Sequence, residues 1–164
     1  MRILLINGPN LNKLGTRQPA IYGHTTLAEI EAAVTERAAG MDADVRCFQS
    51  NHEGALVDFI QAEAGEAAGI IINAGAFGHY GIALRDALAA TSLPFVDVHI
   101  SNVYAREPFR HHSVIADIAL GQVSGLGWRG YLAAVEGLIE TVRERASGAP
   151  PPAMPPRSPT TADS

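Results

Sequence analysis

The chain has 164 residues, a hydrophobic fraction of 47% and one cysteine, enough for a single domain with one good core and no internal disulfide. Its formal net charge of −5 argues against a nucleic-acid binder, whose footprint is a basic patch. No run approaches the roughly 18 apolar residues of a membrane span, and the apolar part of 1–8 is too short for a signal peptide, so a reducing cytoplasm is the expected compartment.

In chain order, Arg2 to Ile6 is apolar enough to be a strand buried on both faces. Thr26-Leu27-Ala28-Glu29 is a capping-box sequence, and the helix it opens runs towards Gly40. The second strand is expected over 44–49, with Cys47 in it as a packed, inert thiol. A helix over 53–68 carries Leu56, Phe59 and Ile60 at helical spacing. The third strand is expected over 69–73, a helix over 81–91, the fourth strand over 94–100, the fifth over 118–123 and the last helix from Trp128 to about Arg145. Strands separated by helices imply a parallel sheet with right-handed crossovers, a doubly wound flavodoxin-like α/β fold. The catalytic domain is expected over 1–146, and the Pro-rich 147–164, almost without large apolar side chains, as a disordered tail.

Sheets of this kind bind ligands beyond the carboxyl ends of their strands, so the peptides placed there are the first to read for chemistry. The segment from Asn10 to Tyr22 is long for a structureless connection and holds Lys13, Arg17 and Tyr22. Tyr22 can be a packing residue and Arg17 a solvated charge; alternatively a cation beside a phenol favours the phenolate and makes tyrosine a base. Asp97, His99 and Ser101 alternate along the fourth strand and project from one face. A carboxylate beside an imidazole orients it and favours the protonated, donating form, although a buried structural pair has the same pattern. The small residues of Asn73-Ala74-Gly75-Ala76 allow close backbone approach to a ligand, and His79 follows them. Arg110 can grip an anionic or polyhydroxylated substrate, whereas adjacent His111 and His112 cannot both face one metal from a regular element.

Taken together these segments resemble the type II 3-dehydroquinate dehydratases. The matching stretches are Asn7-Gly8-Pro9-Asn10-Leu11-Asn12 with Leu14-Gly15 and Arg17, Pro19 to Gly23, and Gln49 to Gly54. Asn73-Ala74-Gly75-Ala76 with His79, Ala83 to Ala87, Val98 to Asn102, Arg106-Glu107 with Phe109-Arg110, and Gly125 to Gly127 with Gly130-Tyr131 complete the set. The resemblance implies that Tyr22 removes a proton α to the ketone of 3-dehydroquinate, with Arg17 holding the phenolate. It makes Asn10 the holder of a water that stabilises the enolate, and His99, oriented by Asp97, the acid for the departing hydroxyl. Asn73, the Ile100 backbone and Ser101 would bind the substrate carboxylate. His79, Arg110 and, from a neighbouring subunit, Asp86 would read the ring hydroxyls. It also implies a dodecamer of four trimers and a reaction without metal or cofactor. An imine mechanism fits poorly, because Lys13 is the only lysine and lies in the long loop.

Three places depart from the family pattern. Gln18 stands where an acid is usual, Asp97 replaces a glutamate, and Gly78, Tyr80 and Gly81 replace the commoner Thr or Ser residues around His79. They surround rather than replace the proposed proton-transfer groups, and point to changes in rate or ring-hydroxyl recognition rather than loss of activity. Two other readings stand beside this one: a paralogue for quinate breakdown or a related cyclic β-hydroxy ketone, and a non-catalytic flavodoxin-like binding module, against which the base loop and the Asp97–His99 strand argue.

Overall fold

A computed structural model describes residues 1–16 and 24–148. Arg17, Gln18, Tyr22 and the tail from residue 149 lie outside the described residues.

Five strands, β1 (Arg2–Asn7), β2 (Asp44–Gln49), β3 (Gly69–Asn73), β4 (Phe95–His99) and β5 (Gly121–Ser124), form one sheet of order β2-β1-β3-β4-β5, with every pair parallel. Four α-helices connect and close it: α1 (Leu27–Ala39), α2 (Glu53–Glu63), α3 (Ile82–Thr91) and α4 (Arg129–Ser147). This is the doubly wound flavodoxin-like order that the alternation of elements predicts.

The two-residue period of the strands divides the core. Ile3, Leu5, Ile71, Val96 and Val98 pack with α1 and α4, through residues such as Ile30, Val34, Val135 and Leu138. Leu4, Ile6, Ile70, Ile72 and Phe95 face the other way, onto Leu56 and Ile60 of α2 and Leu84 and Leu88 of α3. Strands buried on both sides need continuous apolar runs, which is why β1 and β3 were readable without alternation.

The capping box is present: the Thr26 side chain accepts the Glu29 N–H at 3.3 Å, and the Glu29 carboxylate accepts the Thr26 N–H at 2.7 Å. The Thr26 N–H and the Thr26 hydroxyl, both donating to the Glu29 carboxylate at 2.7 Å, hold that carboxyl below the usual carboxylate range. Half-buried Cys47 behaves as expected, for burial pushes its thiol up to about 11 and keeps it protonated at neutral pH.

Two boundaries differ from the sequence reading by more than two residues. The helix expected over 53–68 ends at Glu63 and tightens into a short 3₁₀ turn over Ala64–Glu66. The fifth strand starts at Gly121 rather than at Ile118. Ile118 and Ala119 lie in turns, where their apolar side chains pack against the α2–α3 core. Ladder contact with β4 begins only at the Leu120 N–H, which donates to Phe95 O at 2.8 Å. Apolar character here reports burial, not an extended backbone.

Gly8 joins the carboxyl ends of β1 and β3. Its N–H donates to Asn73 O at 2.8 Å, and a Cβ there would lie 2.3 Å from the backbone oxygen of Ala74. Only glycine permits that approach.

Candidate active site

β1 lies between β2 and β3, so the chain reverses its winding direction across the carboxyl ends of β1 and β3. The crevice of such a sheet opens there. A pocket of about 130 Å³ occupies that position. Pro9 and Asn10 line it after β1, Asn73, Gly75 and His79 after β3, and His99, Ile100 and Ser101 at the end of β4. Leu11, Leu14 and Val103 form its apolar wall, and Arg106 and Arg110 complete the rim.

Of the site residues named from sequence, Asn10, Asn73, His79, His99, Ile100, Ser101 and Arg110 therefore converge on one pocket. Asp97 lies directly behind it. Asp86 is exposed on α3 and is not among the pocket's lining residues. The loop after β2 supports the pocket without lining it. Gln49 donates to Gly8 O at 3.1 Å, and Asn51 accepts the Asn10 N–H at 2.9 Å. These contacts brace the β1 loop, in which Asn10 adopts the left-handed conformation at φ 67°.

Asp97 and His99 are both buried, 0% and 7% exposed, and of the two only His99 lines the pocket. Residues two apart on β4 share a face, so the carboxylate Oδ2 receives the imidazole Nε2 at 3.0 Å. An ionised carboxylate only accepts, so Nε2 carries a hydrogen and Nδ1 is left to exchange a proton with a ligand. A similar deduction applies to His79. Its Nδ1 lies 2.8 Å from the carbonyl of His112, which also only accepts; the neutral ring therefore offers Nε2 as an acceptor. The two imidazoles stack with centroids 6.3 Å apart and an interplanar angle of 19°.

Beneath the pocket runs a polar chain that sequence reasoning missed. Asn7 and Asn73 are register partners at the ends of β1 and β3, and both are buried. Asn7 Nδ2 donates to Glu31 of α1 at 3.2 Å, and its Oδ1 accepts the Tyr131 hydroxyl of α4 at 2.8 Å. Tyr131 accepts in turn from Asn73 Nδ2 at 2.8 Å, while Asn73 Oδ1 takes the Gly75 N–H at 3.2 Å. Each bond sets the direction of the next, and the Asn73 amide is thereby held in one orientation at the pocket floor. Burial pushes the Tyr131 hydroxyl well above its ordinary range, so it remains a donor. Burial likewise raises the Glu31 carboxyl, partly offset by Asn7.

At the rim, Glu107 accepts from Arg110 Nε at 2.8 Å and lies 3.6 Å from Arg106 Nε. Its own backbone N–H and Arg110 hold its carboxyl below the usual range. Arg106 Nη1 also donates to Ser101 Oγ at 3.4 Å, and Arg106 lines the pocket. One departure from the family pattern has a structural cause. Glu53 Oε1 accepts the Leu84 N–H at 3.1 Å near the start of α3, and a Cβ on Gly81 would come within 2.8 Å of that oxygen. Among the described residues no group of three or more His, Cys, Asp or Glu is placed to hold a metal ion, and no helix is long and apolar enough to cross a membrane.

A buried carboxylate–imidazole pair, two arginines and an oriented amide suit an anionic, hydroxylated ligand and the delivery of a proton to it. Comparison with known proteins agrees. The chain is 62% identical over 141 residues to a 3-dehydroquinate dehydratase of Roseiflexus castenholzii, covering 86% of this chain and 90% of that protein. It is 56% identical over 145 residues to a catabolic 3-dehydroquinase of Aspergillus fumigatus, covering 88% of this chain and 97% of that protein. The crystal structure of a type II dehydroquinase from Butyrivibrio crossotus superimposes with a TM-score of 0.82 at 46% identity, covering 84% of this chain and 97% of that one. The model of the family described as dehydroquinase class II matches residues 1–139, and the chain belongs to that family.

Proposed function

We propose that the protein is a 3-dehydroquinate dehydratase, a hydro-lyase that eliminates water from 3-dehydroquinate to give 3-dehydroshikimate. The observation that carries this reading is the buried Asp97–His99 pair in a pocket also lined by Asn73, Ser101, His79 and Arg110. In the proposed sequence the Tyr22 phenolate, supported by Arg17, takes the proton α to the ketone. Electron density moves onto the carbonyl oxygen, and the enolate is stabilised by a water held by Asn10. Collapse of the enolate forms the carbon–carbon double bond and expels the β-hydroxyl with anti stereochemistry, as the Nδ1 proton of His99 converts it to water. Asn73, the Ile100 backbone and Ser101 bind the substrate carboxylate, and His79 and Arg110 read the ring hydroxyls.

The remaining tyrosines support Tyr22 as the base. Tyr131 is locked as a donor, and Tyr80 and Tyr104 are exposed and not among the pocket's lining residues. Asp86, exposed on α3, is assigned to a neighbouring subunit's site in a dodecamer of four trimers. The same reading makes this a cytoplasmic enzyme of the shikimate pathway, which serves aromatic amino acid biosynthesis, working without metal or cofactor.

Purified protein given dehydroquinate should generate the absorbance of a conjugated enone, undiminished by a chelator. No absorbance change at high enzyme concentration would overturn the proposal. Tyr22→Phe should lower kcat by about 10² to 10⁴-fold, the range for loss of a general base, with an unchanged circular dichroism spectrum. Near-normal turnover of that variant would remove Tyr22 from the mechanism.

A further inference from the structure

The Asp97 carboxylate has a second donor, and it comes from the edge of the sheet. Gln122 of β5 is the register partner of Asp97, so the two side chains leave neighbouring strands on the same face. Gln122 Nε2 donates to Asp97 Oδ2 at 2.8 Å, the oxygen that also receives His99 Nε2. Asp97 Oδ1 is buried and has no hydrogen-bond partner among the described residues. Both donors therefore meet on one atom of a side chain that is 0% exposed.

Two consequences follow from that arrangement. Rotation about the Cβ–Cγ bond of aspartate is broad, and one hydrogen bond from a flexible ring restrains it weakly. A second donor, anchored on another strand, holds Oδ2 in place beneath His99. The arrangement also sets polarity. The carboxylate accepts, so the atom of His99 that faces it carries a hydrogen, and Gln122 keeps Oδ2 where that hydrogen can reach it. The proton exchanged with substrate is then confined to Nδ1. Among the described residues with this contact, Gln122 is the only one that neither lines the pocket nor carries charge.

We propose that Gln122 is a positioning residue for the elimination, acting through Asp97 to hold His99 in the tautomer that presents Nδ1 to the substrate. The proposal rests on the dehydratase reading for its kinetic consequence, although the tautomer itself can be observed without substrate. Gln122 is exposed on an edge strand, so Gln122→Leu removes the donor while retaining most of the side-chain volume.

The test combines ring ¹⁵N NMR of His99 with a double-mutant cycle. In the unsubstituted protein, neutral His99 should show the Nε2–H tautomer, and Gln122→Leu should convert it to a mixture. Turnover of dehydroquinate should fall about tenfold to a hundredfold in kcat, the scale of a small misplacement of a catalytic group, with KM within about twofold. In an Asp97→Ala background, which leaves Gln122 no side-chain acceptor at this position, the same substitution should change kcat by less than about twofold. Unchanged His99 ring signals in Gln122→Leu would overturn the proposal, as would an equal kcat loss in both backgrounds or a lowered melting temperature with normal kcat. Were the unsubstituted protein itself inactive on dehydroquinate, the dehydratase reading would fail, and the ring signals would still decide the role of Gln122.

Discussion

His99→Gln should lower kcat for dehydroquinate by about 10² to 10⁴-fold while leaving the melting temperature within a few degrees of the parent. The choice of glutamine separates chemistry from stability. Asp97 is fully buried, and removing the His99 donor leaves its carboxylate with Gln122 alone, at a cost of about 1–3 kcal/mol or more. A glutamine amide can still donate to Oδ2 from near the position of the imidazole Nε2, but it cannot deliver a proton at neutral pH. KM should change far less than kcat, since the lost interaction develops only as the hydroxyl departs. His99→Ala, which removes both functions, should show the same kinetic loss and a clearly lowered melting temperature. Steady-state kinetics and thermal melts on the two variants check this directly. A His99→Gln enzyme retaining a tenth of the parent kcat would show that the departing hydroxyl receives its proton elsewhere.

The largest effect on stability is expected from Gly8→Ala. The new Cβ would lie 2.3 Å from Ala74 O and 2.6 Å from its carbonyl carbon, distances that require backbone movement. That movement is resisted on both sides. The Gly8 N–H is tied to Asn73 O, and the adjoining Asn7 is held through Tyr131 and Glu31. Overpacking of this kind costs about 3 kcal/mol or more. For a domain of this size the melting temperature should fall by roughly 6–12 °C, at about 2–4 °C per kcal/mol. Gly54→Ala, in the first turn of α2 with nothing within 4 Å of its Cβ, is the matched control. It should be neutral or slightly stabilising, because alanine favours helix over glycine. Equal melting temperatures for the two variants would show that the β1–β3 junction yields more readily than its contacts suggest.

Pro9, Asn10 and Gly75, which line the pocket, adjoin the same junction, so the position chosen for its fold cost also bears on the site. Any Gly8→Ala protein that remains folded should bind substrate less well.

How the site was legible differs from residue to residue. Asp97 and His99 could be paired from sequence because they are two apart on one strand, and the strand itself enforces their common face. Asn73, Ser101 and Asn10 were legible as polar residues at or just beyond strand ends, a position defined by chain order alone. Gln122 was not. Its partner lies 25 positions away, and the contact depends on β5 taking its register from β4. The apolar Ile118 and Ala119 shifted the expected strand towards the N-terminus and obscured that register. Tyr131 and Asn7 are 124 positions apart, and each alone looks like an ordinary helix or strand residue.

By itself the sequence determined the number, kind and order of the main elements, the Thr26 capping box and the Asp97–His99 face. Each of these depends on hydrophobic period or on side chains a few residues apart. Only the tertiary structure decided which polar groups share a hydrogen bond across strands and helices: Gln122 with Asp97, Tyr131 with Asn7 and Asn73, and Asn51 with Asn10. Hydrogen bonds require donor and acceptor within about 3 Å in a suitable direction, and sheet register and helix docking supply that over distances in sequence where no local pattern exists.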